Sequence, residues 1–231
     1  MLAVTLFAGL GAVDVWLVQE HLRIHQEEGS QVAREWLLTT DRGIPERVGY
    51  AKLGVGGLLL ALVAFLRRRW VFSVWAAVLL LALVDDSMRV HETAGRWLAE
   101  RWHLTEGVLG LSAQDFGELA VWGLLGVVPL LVAAVLHRRS DPRTRRAGMA
   151  VAAVVGLFAF CGIVMDQVHQ LGASGPYAQL LTVVEDGGEL IALSLAVALG
   201  VALLLRSGTS GQAPAHNTRR NEASVAWSSP T

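Results

Sequence analysis

The chain predicts an all-α integral membrane protein, with six transmembrane helices arranged as three tandem hairpin repeats of pseudo-threefold character. Three observations carry that prediction. The apolar residues, 53% of the 231, come in long blocks rather than at amphipathic spacing. The segments between blocks alternate between arginine clusters and acidic, histidine-bearing strings. One of those strings recurs at the same end of successive hairpins.

The blocks are Met1–Val18, Val48–Leu66, Trp70–Val84, Phe116–Leu136, Ala147–Met165 and Ala178–Leu205. A helix needs about 20 apolar residues to cross a bilayer. In lipid only helices and closed barrels satisfy their backbone, and these blocks lack a barrel's period-two alternation. Met1–Val18 has no basic leader and no Ala-x-Ala exit, and it carries Asp14. It therefore reads as a first membrane helix, not a cleaved signal peptide. Trp70–Val84 is short, so its helix is expected to continue into Asp85–Glu92.

Charge sets the orientation. Arg67, Arg68 and Arg69 follow the second block. Arg138, Arg139, Arg143, Arg145 and Arg146 lie between the fourth and fifth, and Arg206, Arg219 and Arg220 follow the sixth. Excess arginine marks the cytoplasmic side. Both termini are then expected inside, and the acidic strings outside, in a plasma membrane of bacterial type. The hairpins would be 1–69, 70–146 and 147–206. The tail, 207–231, is rich in Ser, Gly, Ala, Asn and Pro and is expected to be disordered.

The recurring string is Glu20-His21-Leu22-Arg23-Ile24-His25 in the first hairpin. It is Asp86-Ser87-Met88-Arg89-Val90-His91 in the second and Asp166-Gln167-Val168-His169 in the third. Each is followed, 20 to 27 residues on, by a glutamate opening the next block: Glu46, Glu118 and Glu189. Asp115-Phe116-Gly117-Glu118-Leu119 also aligns with Asp186-Gly187-Gly188-Glu189-Leu190. Shared Leu and Val are expected of any apolar helices, but shared polar residues are rare there.

A single carboxylate at a membrane helix end is ordinary headgroup polarity. Asp14, Asp85, Glu92, Asp115, Glu185 and Asp186 taken singly fall there, and some suit a role as hydrogen-bond acceptors behind a ligand. Three matched sets around one axis are different, because six converging carboxylates repel unless protonated or neutralised by cations. Histidine with carboxylate oxygens suits Fe, Mn or Zn, and paired cysteines are absent. The expected metal ligands are Glu20, His25, Asp86, His91, Glu118, Asp166, His169 and Glu189. Glu46 and Glu118, with Asp115, are the acid–base candidates.

Spacing qualifies this set. Asp166 and His169 are three apart and share a helical face, as do Asp115/Glu118 and Asp186/Glu189. Glu20/His25 and Asp86/His91 are five apart, roughly 140° around a regular helix. Each helix must therefore end or bulge between them, or the partners differ. A straight first helix would instead align Asp14, His21 and His25. The chain resembles carboxylate-bridged dimetal bundles in residue types and i, i+3 pairs, without their paired Glu-x-x-His signature.

The loops Ser30–Thr40 and Gly95–Leu104 are amphipathic, with Trp36, Trp97 and Trp102 placed to anchor at an interface. They could also cover the polar mouth. The lone Cys161 lies in an apolar block, so it reads as packing and allows no internal disulfide.

The leading functional expectation is a membrane-embedded, metal-dependent enzyme, a hydrolase or oxidoreductase, with its site at the outer face and a lipidic or amphipathic substrate. One alternative is a divalent-cation or proton transporter with an acidic vestibule. Another is a metal-free isomerase or cyclase of an isoprenoid-like substrate, with Trp16, Trp70, Trp75, Trp122 and Tyr50 to stabilise a carbocation. Nucleotide-binding, nucleophile-elbow and Cys-x-x-Cys motifs are absent. The arginine clusters sit in short inner loops and read as topology signals, so membrane lipids are expected as partners and nucleic acid is not.

Overall fold

The computed structural model describes residues 1–26, 31–104, 111–172 and 175–206. Six helices in it are long and apolar enough to cross a membrane, and no strand occurs among the described residues. The architecture is that of a membrane protein. The tail at 207–231, on which the expectation of disorder falls, lies outside the described residues.

The first span is α1, Leu2–Gln26, followed by a 3₁₀ turn at Gln31–Trp36. The second is α2, Ile44–Arg67, whose first turn holds Pro45 and Glu46, a proline and an acid where a helix start favours both. The third, α3, spans Val71–Met88 and stops short of the expected Glu92. Arg89 takes the left-handed conformation at φ 54°, and the chain restarts as α4, Val90–Arg101. The fourth span, α5, runs Ala113–Arg139 from a capping box, in which Ser112 Oγ accepts from Asp115 N–H and the Asp115 carboxylate accepts from Ser112 N–H.

The fifth span is α6, Pro142–Ala159, a π-helical turn at Phe160–Met165, and α7, Asp166–Gly172. The sixth is α8, Ala178–Thr182, a π-helical turn at Val183–Gly187, and α9, Gly188–Leu205. The two π turns pack against each other. A π turn adds a residue to the helix and re-aims the side chains beyond it, here Asp166 and Glu189.

The core gathers where α2, α3, α6 and α9 meet. Leu60 and Val63 of α2, Phe72 and Leu79 of α3, Val155 of α6 and Leu193 of α9 are all buried there. The first span rests on α9, while α2 packs on α3 and α9. A buried polar contact joins α1 to α2 and α9. Lys52 Nζ pairs with the Asp14 carboxylate and donates to Leu190 O at 3.3 Å, and Ser194 Oγ donates to Asp14 Oδ2 at 2.6 Å. Asp14 and Ser194 are 0% exposed and Lys52 5%. Charges in such surroundings persist only when paired and hydrogen-bonded. By contrast, Leu124, Val128 and Leu131 of α5 point outward, as a face meant for lipid would.

At the arginine-rich end, Arg67 donates to Leu203 O at 2.6 Å and Leu204 O at 2.9 Å, closing the end of α9. Arg69 pairs with Asp141, which also caps α6 by accepting from the Arg143 and Thr144 amides. Those amide and hydroxyl donors from Thr144, with Arg69 beside them, hold the Asp141 carboxyl at about 2, below its ordinary 3.8.

Candidate functional site

At the end opposite Arg67–Arg69 and the Arg138–Arg146 cluster, the helices surround a cavity of about 1070 Å³. Eleven carboxylates line it: Asp41, Glu46, Asp85, Asp86, Glu92, Asp115, Glu118, Asp166, Glu185, Asp186 and Glu189. Among the described residues Arg89 is the sole Lys or Arg in that lining, which also holds His91 and His169. The deeper wall is apolar, with Leu53, Trp75, Val78, Phe158 and Leu193.

The break in α3 builds the first cluster. Because the helix ends at Met88, His91 turns back over the last turn of α3. Its backbone N–H donates to Asp85 Oδ1 at 2.9 Å, and its Nδ1 lies 2.7 Å from Asp85 Oδ2. Asp85, Asp86 and His91 each bring a ligand-type atom within 4.8 Å of the other two. The five-residue spacing of Asp86 and His91 is reconciled by a helix end, not by a bulge. Burial works against the His91 imidazolium. The Asp85 hydrogen bond and the charges of Asp85, Asp86 and Glu118 outweigh it, and its pKa rises above the ordinary 6.5. Trp122 lies against the ring, centroids 5.3 Å apart.

A second cluster repeats the device. His169 Nδ1 lies 2.6 Å from Glu185 Oε2, and its Nε2 lies 3.3 Å from Thr182 Oγ1. Asp166, one turn earlier, accepts from the Gln167 amide at 2.8 Å and the Gln170 amide at 3.4 Å. In both clusters a carboxylate occupies Nδ1 and fixes the ring; Nε2 is then the nitrogen that could ligate, and at His169 it would have to give up its contact with the Thr182 hydroxyl. Asp85 and Glu185 are thus site residues outside the ligand set drawn from the sequence. Each is the first of two adjacent carboxylates, Asp85-Asp86 and Glu185-Asp186, and only the chain path shows which of the two meets an imidazole.

The three block-opening glutamates all line the cavity. Glu46 accepts from the Arg42 amide and the Tyr50 hydroxyl, and Tyr50 also reaches Asp86 O at 3.3 Å. Glu118 accepts from the Gln114 side chain at 2.8 Å. Glu189 faces Gly162 in the first π turn, where a Cβ would stand 2.1 Å from its Oε1. Asp115 lines the cavity too, but its carboxylate closes the α5 capping box. Glu46, Asp115 and Glu118, the three acid–base candidates, each accept a local hydrogen bond, from Arg42 and Tyr50, from Ser112 and from Gln114 respectively.

Glycine sets the distance between Glu118 and His91. A Cβ on Gly117 would stand 2.1 Å from Gly95 O, so α4 and α5 touch backbone to backbone. Tertiary packing of α4 therefore rests on small residues, Gly95 and Ala99, while Trp97 stays exposed.

The first string is placed differently. Glu20 pairs with Arg23 one turn on, His25 is exposed, and neither lines the cavity. His21 is the buried residue: its Nδ1 accepts from Leu38 N–H at 3.2 Å and fastens the following loop. A continuous α1 puts His21 and His25 on one face, with ring centroids 6.1 Å apart, and Glu20 on another. The structure thus brings together Glu46, Asp86, His91, Asp115, Glu118, Asp166, His169 and Glu189, and leaves out Glu20 and His25.

No curated protein and no solved structure matches the chain. One family model, described as a domain of unknown function (DUF8692), matches residues 1–203. That match takes in α1 to α8, α9 as far as Leu203 and all of the described cavity-lining carboxylates, and the chain belongs to this family.

Proposed function

We propose that the protein is a membrane-embedded, metal-dependent enzyme acting on a lipidic or amphipathic substrate at the outer face of the membrane. The observation that carries this reading is the pair of carboxylate-held imidazoles, His91 on Asp85 and His169 on Glu185, in one acidic cavity. Such second-sphere orientation is the usual support of a metal-ligating histidine. Asp86 with His91 and Asp166 with His169 are the ligand pairs, and Glu118 and Glu189 complete them. The mixed oxygen and nitrogen donors suit Fe, Mn or Zn. A bound divalent ion would polarise a substrate oxygen or activate water. A glutamate of the lining not taken up by the metal would move the proton.

Topology and repeat are read from the same end-to-end contrast. Arginines at the far end of the helices support an inner location for both termini. The three glutamates at one cavity, each opening a span, support descent from three hairpins, with the first copy of the string released from the site. The test is elemental analysis of protein purified without chelator. Fe, Mn or Zn near one or two per chain is expected, with loss on His91→Ala and on Glu118→Ala. Metal-free protein, or variants that retain their metal, would refute it.

A second reading, a divalent-cation or proton transporter, is favoured by the buried Asp14–Lys52–Ser194 network next to the cavity-lining Leu53 and Leu193. The sealed apolar core around Leu60, Val63 and Leu79 weighs against a continuous path. Cation uptake into proteoliposomes would reverse the ranking.

A further inference from the structure

The geometry points to the class of molecule the cavity accepts: a single-chain amphiphile with an amine or hydroxyl head and no phosphate, entering from the bilayer between α5 and α6. This rests on the amphiphile reading above and gives it a head group and a door.

The charge of the lining carries the head group. Among the described residues eleven carboxyl groups face one arginine and two histidines. The lining is therefore rich in oxygen acceptors and poor in the cationic donors that a phosphate head requires. A phosphate would bring further anionic oxygens to those acceptors, an arrangement that like charges at close range oppose. An ammonium is attracted, and a hydroxyl can both donate to carboxylates and ligate a metal.

The wall carries the door. Gly126 of α5 and Gly156 of α6 both line the cavity, and a Cβ on either would meet nothing within 4 Å. Val127 and Leu130 belong to the same lining, are 53% and 59% exposed, and alternate along α5 with the exposed Leu124, Val128 and Leu131, which the lining lacks. Residues shared by the cavity and the lipid-directed surface mark an opening between them. Pro129 lines the cavity midway along α5, where it removes an intrahelical hydrogen bond. Inside, the apolar floor receives a chain. Trp75 is 6% exposed there, and its buried indole N–H has no hydrogen-bond partner among the described residues.

The experiment is equilibrium binding of dodecylamine, dodecanol and dodecyl phosphate to the protein in phosphatidylcholine nanodiscs, reading the saturable component. Dodecylamine and dodecanol are expected to bind at least tenfold more tightly than dodecyl phosphate. Gly126→Trp and Gly156→Leu, which fill open space, are each expected to weaken dodecylamine at least tenfold while the protein stays folded by circular dichroism. Equal or tighter binding of dodecyl phosphate overturns the head-group assignment, and unchanged binding in both filled variants overturns the door. Metal content is measured on the same samples. Metal-free protein that keeps the selectivity sinks the metal reading alone, and metal-loaded protein without selectivity sinks this one alone.

Discussion

Replacing Lys52 with Met removes one partner of a fully buried ion pair and leaves Asp14 without its cation. Asp14 is 0% exposed, held by α1, α2 and α9, with the Ser194 hydroxyl as its remaining hydrogen-bond partner. Breaking a buried pair from one side costs about 3–5 kcal/mol, because the stranded charge keeps its desolvation penalty. The Ser194 hydrogen bond does not recover this. Hydrogen bonds between membrane helices average about 0.6 kcal/mol and reach about 1.7. The double variant Asp14→Leu/Lys52→Met removes both charges. Similar replacements range from neutral to about 1–4 kcal/mol stabilising. The assay is reversible unfolding in mixed micelles of increasing sodium dodecyl sulfate. Lys52→Met should lose about 3–5 kcal/mol, and the double variant should recover most of it. A single variant within about 1 kcal/mol of wild type, or a double variant as unstable as the single, would refute the idea that the pair is held against desolvation.

The geometry sets three other outcomes. Gly117→Ala drives a Cβ to 2.1 Å from Gly95 O and should cost upward of about 1–3 kcal/mol, read as faster amide exchange across α4 with the core unchanged. Asp85→Asn keeps an oxygen near His91 Nδ1 but removes the charge, and should lower metal affinity about 10–100-fold in competition with a chromophoric chelator. Asp141 titrates at about 2 when folded against an ordinary 3.8, so its contribution is full above that ordinary value and is lost as pH falls towards 2. Amides at the start of α6 should therefore exchange faster below pH 4 relative to the core. Asp141→Asn should abolish that pH dependence.

The spans were legible in the sequence because lipid leaves so few solutions. Apolar blocks of sufficient length, with arginines at alternate ends, permit little but a helical bundle. The gathering of Glu46, Glu118 and Glu189 was legible too, since each opens a block at the same end. What stayed hidden depended on where helices stop. Nothing in Met88-Arg89-Val90 announces a left-handed residue, yet that turn brings His91 onto Asp85. The π turns at 160–165 and 183–187 are equally silent in composition. Lys52 was different, because the signal existed. A lone cation inside an apolar block needs a buried anion, and Asp14 stood unpaired in the block before it.

The Asp14 contact also dates the assembly of the molecule. Its hydroxyl partner, Ser194, comes 180 residues later in the chain. At about 5–20 residues per second, a ribosome reaches it roughly 10–35 s after making the first helix. Until then α1 carries an acid into the bilayer with Lys52 alone for company, and α9, the surface it finally rests on, does not exist. A helix synthesised early is therefore secured late. Truncation at the C-terminal span would release the N-terminal one, and quality control in the membrane would see the failure at the opposite end of the chain from the lesion.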